Sequence, residues 1–451
     1  MSSNLNWNLL TLRNFSGMRF SPEISFESIQ QQSAYQFAAF QNMLEYLSIR
    51  SPYYKKKFKE HKIDIANIKS LSDINFLPTT SKFDLQEHNW EFLCVPDKKV
   101  IEYTATIGAK GKPVNIALTE NDLKRLTYNE LQSINCAGGK KGDIFQVMLP
   151  LNRQMMAGMS YCMGIRKLGA TLIRTGPGIF SMQMETILRL QPNSLIAVPS
   201  FIAKFMDWAE ENNFDISTSS VQKVICLGES IRGGDFELNN LGKSICRHGN
   251  IKLYSSYSST EMQTSFMECE AGQGCHHQPD LILLEILNEH GDSLPAGEYG
   301  EVVITTLGVE GMPLLRYRTG DICAYYDTPC ACGRTTRRLT PIMGRRQQMI
   351  KFKGTTLYPD AIFNVLNSTN FITDYIVEVF TNEFDLDDII LHIVSSLSDE
   401  SSEQSLRPLL KTIFSVMPHI QFHTNESIEY FQTKIGEVDY NKLLDKRENV
   451  L

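Results

Sequence analysis

Two short runs in this 451-residue chain end on a carboxylate: YSSYSSTE closes on Glu261 and RYRTGD closes on Asp321. An aromatic followed by small hydroxyl residues and an acid suits a nucleotide. Tyr257 can cover a purine ring, Thr260 can donate to a phosphate oxygen and Glu261 can hold a magnesium ion, while Asp321 can accept from both ribose hydroxyls, as acidic residues do in other nucleotide sites. Each carboxylate also has a plainer reading. Glu261 can be an acid favoured by the dipole at a helix N-terminus, and Asp321 can be half of an ion pair with Arg316 or Arg318, worth little at a surface.

The stretch YTATIGAKGKPVNIALTENDL, residues 103 to 123, bears on the phosphates. A Walker A loop needs glycine five residues before its Gly-Lys pair, but Thr106 stands there ahead of Gly111 and Lys112, and Pro113 replaces the magnesium-binding Ser or Thr. An ordinary P-loop is therefore excluded. What remains is strand, a loop with Gly108, Gly111 and Lys112, a second strand, and Thr119 with Asp122 at N-cap spacing for a helix. Alone, such a loop is more often a hairpin turn than a phosphate site. Four of the ten cysteines form the other chemical grouping: Cys269 and Cys275 in MECEAGQGCHHQPD pair by spacing with Cys330 and Cys332 in TPCACGR, with His276 and His277 adjacent. Two such turns can close a tetrahedral structural zinc site in a reducing compartment, Cys269, Cys330 and Cys332 being joined by Cys275 or by one of the histidines.

These residues must be positioned by a chain long enough for two or three domains. Its composition is globular, 42% hydrophobic and 21% charged, and a formal net charge of −7 argues against a nucleic-acid groove. No apolar run approaches 18 residues and MSSNLNWNLLTLRNF lacks the regions of a signal peptide, so a soluble, cytoplasmic protein with no membrane partner is expected. Ser33 and Gln36 at capping-box spacing, with Phe37, Phe40, Leu44 and Leu47 behind them, predict an amphipathic helix over 33–49. The basic YYKKKFKEHK after it reads as a solvated helix face. From about residue 100, DIFQVMLP, GATLIRTG, NSLIAVPS, QKVICLGES and NIKLYSSYSSTE alternate with helical stretches, which predicts parallel βαβ units in a layered α/β domain with ligands beyond the strand ends. YIVEVF, DIILHIV and EQSLRPLLKTIFSVM predict a small α+β domain at the C-terminal end, with SSLSDESSEQS as a loop leading into its helix.

TIGAKGKP, YSSTE, GEYGEVVIT, LLRYRTGD and GRRQQMIKFKG occur in the order of the motifs of adenylate-forming enzymes, the superfamily of acyl-CoA synthetases, luciferases and peptide-synthetase adenylation domains. SPYYKKKFKEHKIDIANIKSLSDINFLPTTSKFDL and CACGRTTRRLTPIMGR resemble stretches of its phenylacetate–CoA ligase branch, and the resemblance runs from about residue 35 to 365. It implies an α/β fold with a large multi-layer domain over 1–343, opened by a helical segment at 1–85, and a small mobile α+β domain over 344–451 hinged at Gly344 and Arg345. It implies activation of an aromatic or other apolar carboxylic acid with ATP and magnesium as an acyl-adenylate, release of pyrophosphate, and transfer to the thiol of coenzyme A or of an acyl carrier protein; a homodimer is compatible with it. Residue by residue, Tyr257 would stack on adenine, Thr260 contact the α-phosphate, Glu261 bind magnesium, Asp321 bind ribose and Arg345 contact ribose, while Gly228, Glu229 and Ser230 would line the adenine and acyl pockets. MLPLNRQMMAGMSY and RTGPG fall where the family builds its acyl wall.

Two segments depart from the family. Ile107, Ala109 and Lys110 occupy hydroxyl positions of the phosphate loop, and Glu437 follows Gly436 where a bridging lysine is usual, leaving Lys434 or Lys442 for that role. A carboxylate there would repel the developing anion. This motivates two alternatives: a nucleotide-binding homologue with little ligase activity, and an acyl transferase using a preformed adenylate.

Overall fold

The computed structural model describes residues 20–106, 113–353, 355–382, 386–414, 416–429 and 442–447. The chain divides into two compact units, Met1–Thr319 with Cys323–Pro341, and Gly320–Ile322 with Ile342–Leu451.

The first unit opens with helices α1 (Ile29–Arg50), α2 (Pro52–Glu60) and α3 (Lys82–His88). Helix α1 starts four residues before the expected span because a second S-x-x-Q pair, Ser28 and Gln31, forms the reciprocal capping box. Helix α2 buries Tyr53, Tyr54 and Phe58 and leaves Lys55, Lys56 and Lys59 exposed, so its basic run is a solvated face. Strands β1 (Val100–Ala105) and β2 (Asn115–Thr119) pair antiparallel, and Thr119 and Asp122 cap α4 (Glu120–Cys136) as their spacing predicts.

The apolar runs between 144 and 259 become β3 (Ile144–Val147), α5 (Met156–Leu168), β4 (Thr171–Arg174), α6 (Phe180–Leu190), β5 (Ser194–Ala197), α7 (Pro199–Glu211), β6 (Lys223–Leu227), α8 (Asn240–Cys246) and β7 (Lys252–Ser259). Strands β7, β6, β5, β3 and β4 lie side by side and parallel, each joined by a helical crossover. Two apolar cores flank this sheet, one around Phe145, Tyr161 and Ile196 and one around Phe205, Ile202 and Cys226. The sheet continues antiparallel through β8 (Thr264–Glu268), β9 (Cys275–His276), β14 (Arg338–Leu339) and β13 (Tyr325–Tyr326). Strands β10 (Ile282–Leu287), β11 (Gly300–Thr306) and β12 (Tyr317–Cys323) form a separate sheet.

In the second unit β15 (Gly344–Arg345) pairs with Asp321 and Ile322. Strands β17 (Thr355–Leu357), β16 (Ile350–Phe352), β19 (Asp387–Ser395), β18 (Ile372–Thr381) and β21 (Leu443–Asp445) build its sheet, β20 (His419–Phe422) adding to β19, with α9 (Pro359–Asn367) and α10 (Asp399–Leu410) beside it. Seven of the eleven residues of the polar SSLSDESSEQS belong to α10, since Ser398 precedes Asp399 and Glu400, acids favoured in a first turn.

Glu130 of α4 faces β8 and is 4% exposed, accepting from the hydroxyls of Ser265 and Ser160. Burial pushes its carboxyl from 4.5 up to about 8, the serine bonds pulling the other way. Between those two values the native state binds more protons than the unfolded chain. The contribution of this group is therefore complete below about 4.5 and is lost as pH rises through 8. Glu130→Gln is expected to remove that slope, so the variant gains on the wild type between pH 5 and pH 9 in denaturant midpoints. Parallel pH curves for the two proteins would refute the assignment.

Candidate nucleotide site and cysteine cluster

Tyr257, Thr260 and Glu261 lie on the β7–β8 hairpin, whose turn is Thr260–Gln263. Glu261 lies in this turn and not at a helix start, which removes the helix-dipole reading. Its carboxylate, 7% exposed, accepts from the Tyr317 hydroxyl at 3.4 Å and stands 3.9 Å from the Lys82 ammonium. Tyr257 is half-buried, its ring tilted 43° against Phe266 at 5.6 Å, and Thr260 is also half-buried. A buried carboxylate next to a hydroxyl offers the hard oxygen ligands that a divalent cation bound to phosphate takes.

Lys82 was not singled out by the sequence reading. It arrives because Thr80 bridges Tyr317 in register: the Thr80 amide donates to Arg316 O at 2.9 Å and the Arg318 amide donates to Thr80 O at 2.8 Å. Two residues later the chain enters α3, whose capping box at Ser81 and Asp84 fixes the direction in which Lys82 leaves. The one signal available was its place in TTSKFDL, within the stretch that carries the family likeness.

The GES segment follows β6. Gly228 adopts a left-handed φ of +87°, and a Cβ there would meet nothing within 4 Å, so the residue is required by the backbone and borders open space. Glu229 accepts from the Ser200 amide at 2.7 Å and the Ser200 hydroxyl at 2.8 Å, at the first turn of α7. Its carboxylate thus serves the orphan amides of a helix end. The Ser230 hydroxyl donates to Arg232 O at 2.9 Å. Of the methionines in the expected acyl wall, Met148 and Met156 are buried and Met159 is 38% exposed.

In the second unit Asp321 pairs across β12–β15 with Arg345, Nε to Oδ1 at 3.3 Å. The expected partners are engaged elsewhere: Arg316 binds Glu285 and Arg318 binds Glu301. Sequence proximity misplaced the pair because cross-strand register joins residues 24 apart in the chain, a separation set by numbers 321 and 345. Lys442 binds Asp374. Gly108, Gly111, Lys112, Lys434 and Glu437 lie outside the described residues.

Cys269, His276, Cys330 and Cys332 bring their ligand atoms within 4.8 Å of one another. Cys269 and Cys330 sulfurs are 3.6 Å apart, close to the ~3.8 Å that Zn–S bonds of about 2.3 Å impose in a tetrahedron. Cys275, the first candidate for the fourth position, is turned away with its thiol toward Ser255 O at 3.4 Å. It neighbours His276 on β9, and successive strand residues point to opposite faces. His277 likewise turns off, its Nδ1 3.2 Å from Arg337 O. The His276 ring meets the Thr336 hydroxyl through Nδ1 at 2.7 Å and Cys332 through Nε2 at 3.5 Å, the pattern of a ligand histidine fixed by its other nitrogen. Burial opposes ionisation of Cys332, but hydrogen bonds from His276 and Arg334 outweigh it and bring the thiol down to about 5. Gly333, at φ +88°, closes the turn that presents Cys330 and Cys332.

No family model matches the chain. It is 27% identical over 403 residues to a phenylacetate-coenzyme A ligase of Thermus thermophilus, covering 88% of each chain. It is 29% identical over 335 residues to one of Aromatoleum evansii (73% of this chain, 74% of the other) and 28% over 345 residues to one of Escherichia coli (75% and 77%). Among solved structures, 2-hydroxyisobutyryl-CoA ligase bound to its acyl-AMP in the postadenylation state superposes with a TM-score of 0.80 at 19% identity, over 92% of this chain and 94% of that one. The amide bond synthetase McbA of Marinactinospora thermotolerans gives 0.55 at 15% identity, over 72% and 66%. Both share the fold.

Proposed function

We propose that this chain, similar over most of its length to phenylacetate–coenzyme A ligases and built on the fold of adenylate-forming ligases, activates an aromatic or other apolar carboxylic acid with ATP as its acyl-adenylate and passes the acyl group to the thiol of coenzyme A. The observation that supports this reading is the β7–β8 hairpin, which carries Tyr257, Thr260 and Glu261, with the Lys82 ammonium 3.9 Å from the Glu261 carboxylate. Magnesium held by Glu261 would neutralise phosphate oxygens while the acid attacks. Thr260 is assigned a hydrogen bond to the α-phosphate, Tyr257 the adenine face and Asp321 the ribose hydroxyls. Lys82 adds a positive charge next to the Glu261 carboxylate. Glu229 acts indirectly, by fixing α7 against the end of β6.

The set Cys269, His276, Cys330 and Cys332 would hold zinc in a closed site, which stabilises the β8–β9 and residue-330 turns and leaves no open position for a reacting water. Ten cysteines without disulfides suit a reducing compartment, so we place the protein in the cytoplasm. Among the described residues no helix is long and apolar enough to cross a membrane.

The test is thioester formation. Purified protein with ATP, magnesium and coenzyme A is expected to convert members of an aryl and medium-chain acid panel to acyl-CoA, detected by mass spectrometry. Acyl-AMP accumulation without thioester under the same conditions would instead favour another acceptor, such as a carrier protein.

A further inference from the structure

The buried face of α4 carries a cation that the scheme above does not use. Arg125 is 0% exposed, and its hydrogen bonds among the described residues go to carbonyl and hydroxyl oxygens: Nε to Leu307 O at 2.7 Å, Nη1 to Gln263 O at 2.5 Å, and Nη2 to Thr264 Oγ1 at 2.9 Å and Leu281 O at 2.7 Å. The Thr264 hydroxyl in turn donates to Met262 O at 3.0 Å. Two of the four acceptors therefore belong to the end of the turn that carries Glu261. Burial lowers the Arg125 pKa to about 10, which leaves the guanidinium charged at neutral pH.

The same turn is held in a conformation its own sequence does not favour. Gln263 has a φ of +48°, a left-handed geometry that a side chain with a Cβ rarely adopts. It is 1% exposed, and neither its Nε2 nor its Oε1 has a hydrogen-bond partner among the described residues. Such a residue persists only where surrounding contacts over-determine it. Among the contacts on this residue is the Arg125 guanidinium, which donates to its carbonyl.

We propose that Arg125 is a positioning residue for the Glu261 carboxylate: from beneath the hairpin it grips Gln263 O and Thr264 Oγ1, and so fixes where Glu261 meets a divalent cation. This rests on the reading of Glu261 as a magnesium ligand. Partners that orient a metal ligand without touching the metal change metal affinity by roughly 10- to 100-fold when removed, and that is the signature expected.

Manganese binding to the protein–ATP complex, read by electron paramagnetic resonance, tests this alongside the magnesium dependence of pyrophosphate release. Thr264→Val, which keeps shape and drops the hydroxyl, and Arg125→Lys, which keeps the charge, are expected to weaken manganese binding by roughly 10-fold, with much of the rate recovered at saturating magnesium; Arg125→Met is expected to approach 100-fold. If Arg125→Met fails to fold, Thr264→Val decides. A folded Thr264→Val or Arg125→Lys protein with wild-type manganese affinity and magnesium requirement overturns the proposal. Glu261→Gln separates the two levels: if it leaves manganese binding intact, the reading of Glu261 has failed and the proposal falls with it, whereas weakened binding in Glu261→Gln with none in Thr264→Val and Arg125→Lys refutes the role of Arg125 alone.

Discussion

Glu261→Gln is expected to lower acid-dependent pyrophosphate release by roughly 10²–10³-fold, the range found when a preorganised group facing transition-state charge is removed. The carboxamide has nearly the same volume and can still accept from Tyr317, so the turn has no steric reason to move. What disappears is the negative charge in a site only 7% exposed, where water cannot replace it. The ion pair lost with Lys82 is long, 3.9 Å, and Lys82 is one-third exposed, so its loss changes stability by no more than about 1 kcal/mol. A thermal midpoint close to that of the wild type, with activity nearly gone, is therefore the expected combination. Activity within about fivefold of wild type would show that the charge is held by another residue and that Glu261 is structural.

The second large effect concerns the cysteine cluster. The purified protein is expected to contain one zinc per chain, and its removal by a strong chelator should cost at least about 3 kcal/mol, since the free energy of filling a structural zinc site appears as folding free energy. At about 2.1 cal/mol/K of unfolding entropy per residue, a unit of this size shifts by roughly 1.5 °C per kcal/mol, so the thermal midpoint should drop by at least roughly 4 °C. Burial raises the Cys269 pKa, so a chain without metal keeps that sulfur as a neutral thiol packed 3.6 Å from Cys330 with no ligand bond to link β8 to the residue-330 turn. Single substitutions give the sharper discrimination. His276→Ala and Cys330→Ser should lose zinc, whereas Cys275→Ser should retain it, because that thiol faces Ser255 O. Zinc retained by His276→Ala but lost from Cys275→Ser would contradict the ligand set.

The parallel strands were legible because each is a short apolar run ended by Gly, Ser or Pro, and in β3, β5 and β6 burial on both faces leaves no alternation to confuse the period. The cap of α4 was legible for a related reason: Thr119 and Asp122 satisfy local amides, so a four-residue span contains the whole signal. Helix α1 shows the limit of that logic, since Ser28 and Ser33 offer the same spacing and the helix starts at the first. Long-range facts were less accessible. The choice of His276 over Cys275 depends on which face of β9 looks toward Cys269. Asp321 meets Arg345 through strand register, and Lys82 reaches Glu261 through a bridge between Thr80 and Tyr317. Arg125 looks in sequence like the polar face of an amphipathic helix; its acceptors at 263, 264, 281 and 307 are separated from it by well over a hundred residues.

The central claim is that the β7–β8 turn serves the adenylation of an acid. Pyrophosphate release from ATP and magnesium, followed across a panel of aryl and fatty acids with and without coenzyme A, tests it most directly. The account predicts release that requires an acid, is selective for apolar acids, and turns over repeatedly when coenzyme A is present. Binding of ATP with no acid-dependent release from any member of the panel would contradict it, and would mark the chain as a nucleotide-binding relative that does not make adenylates.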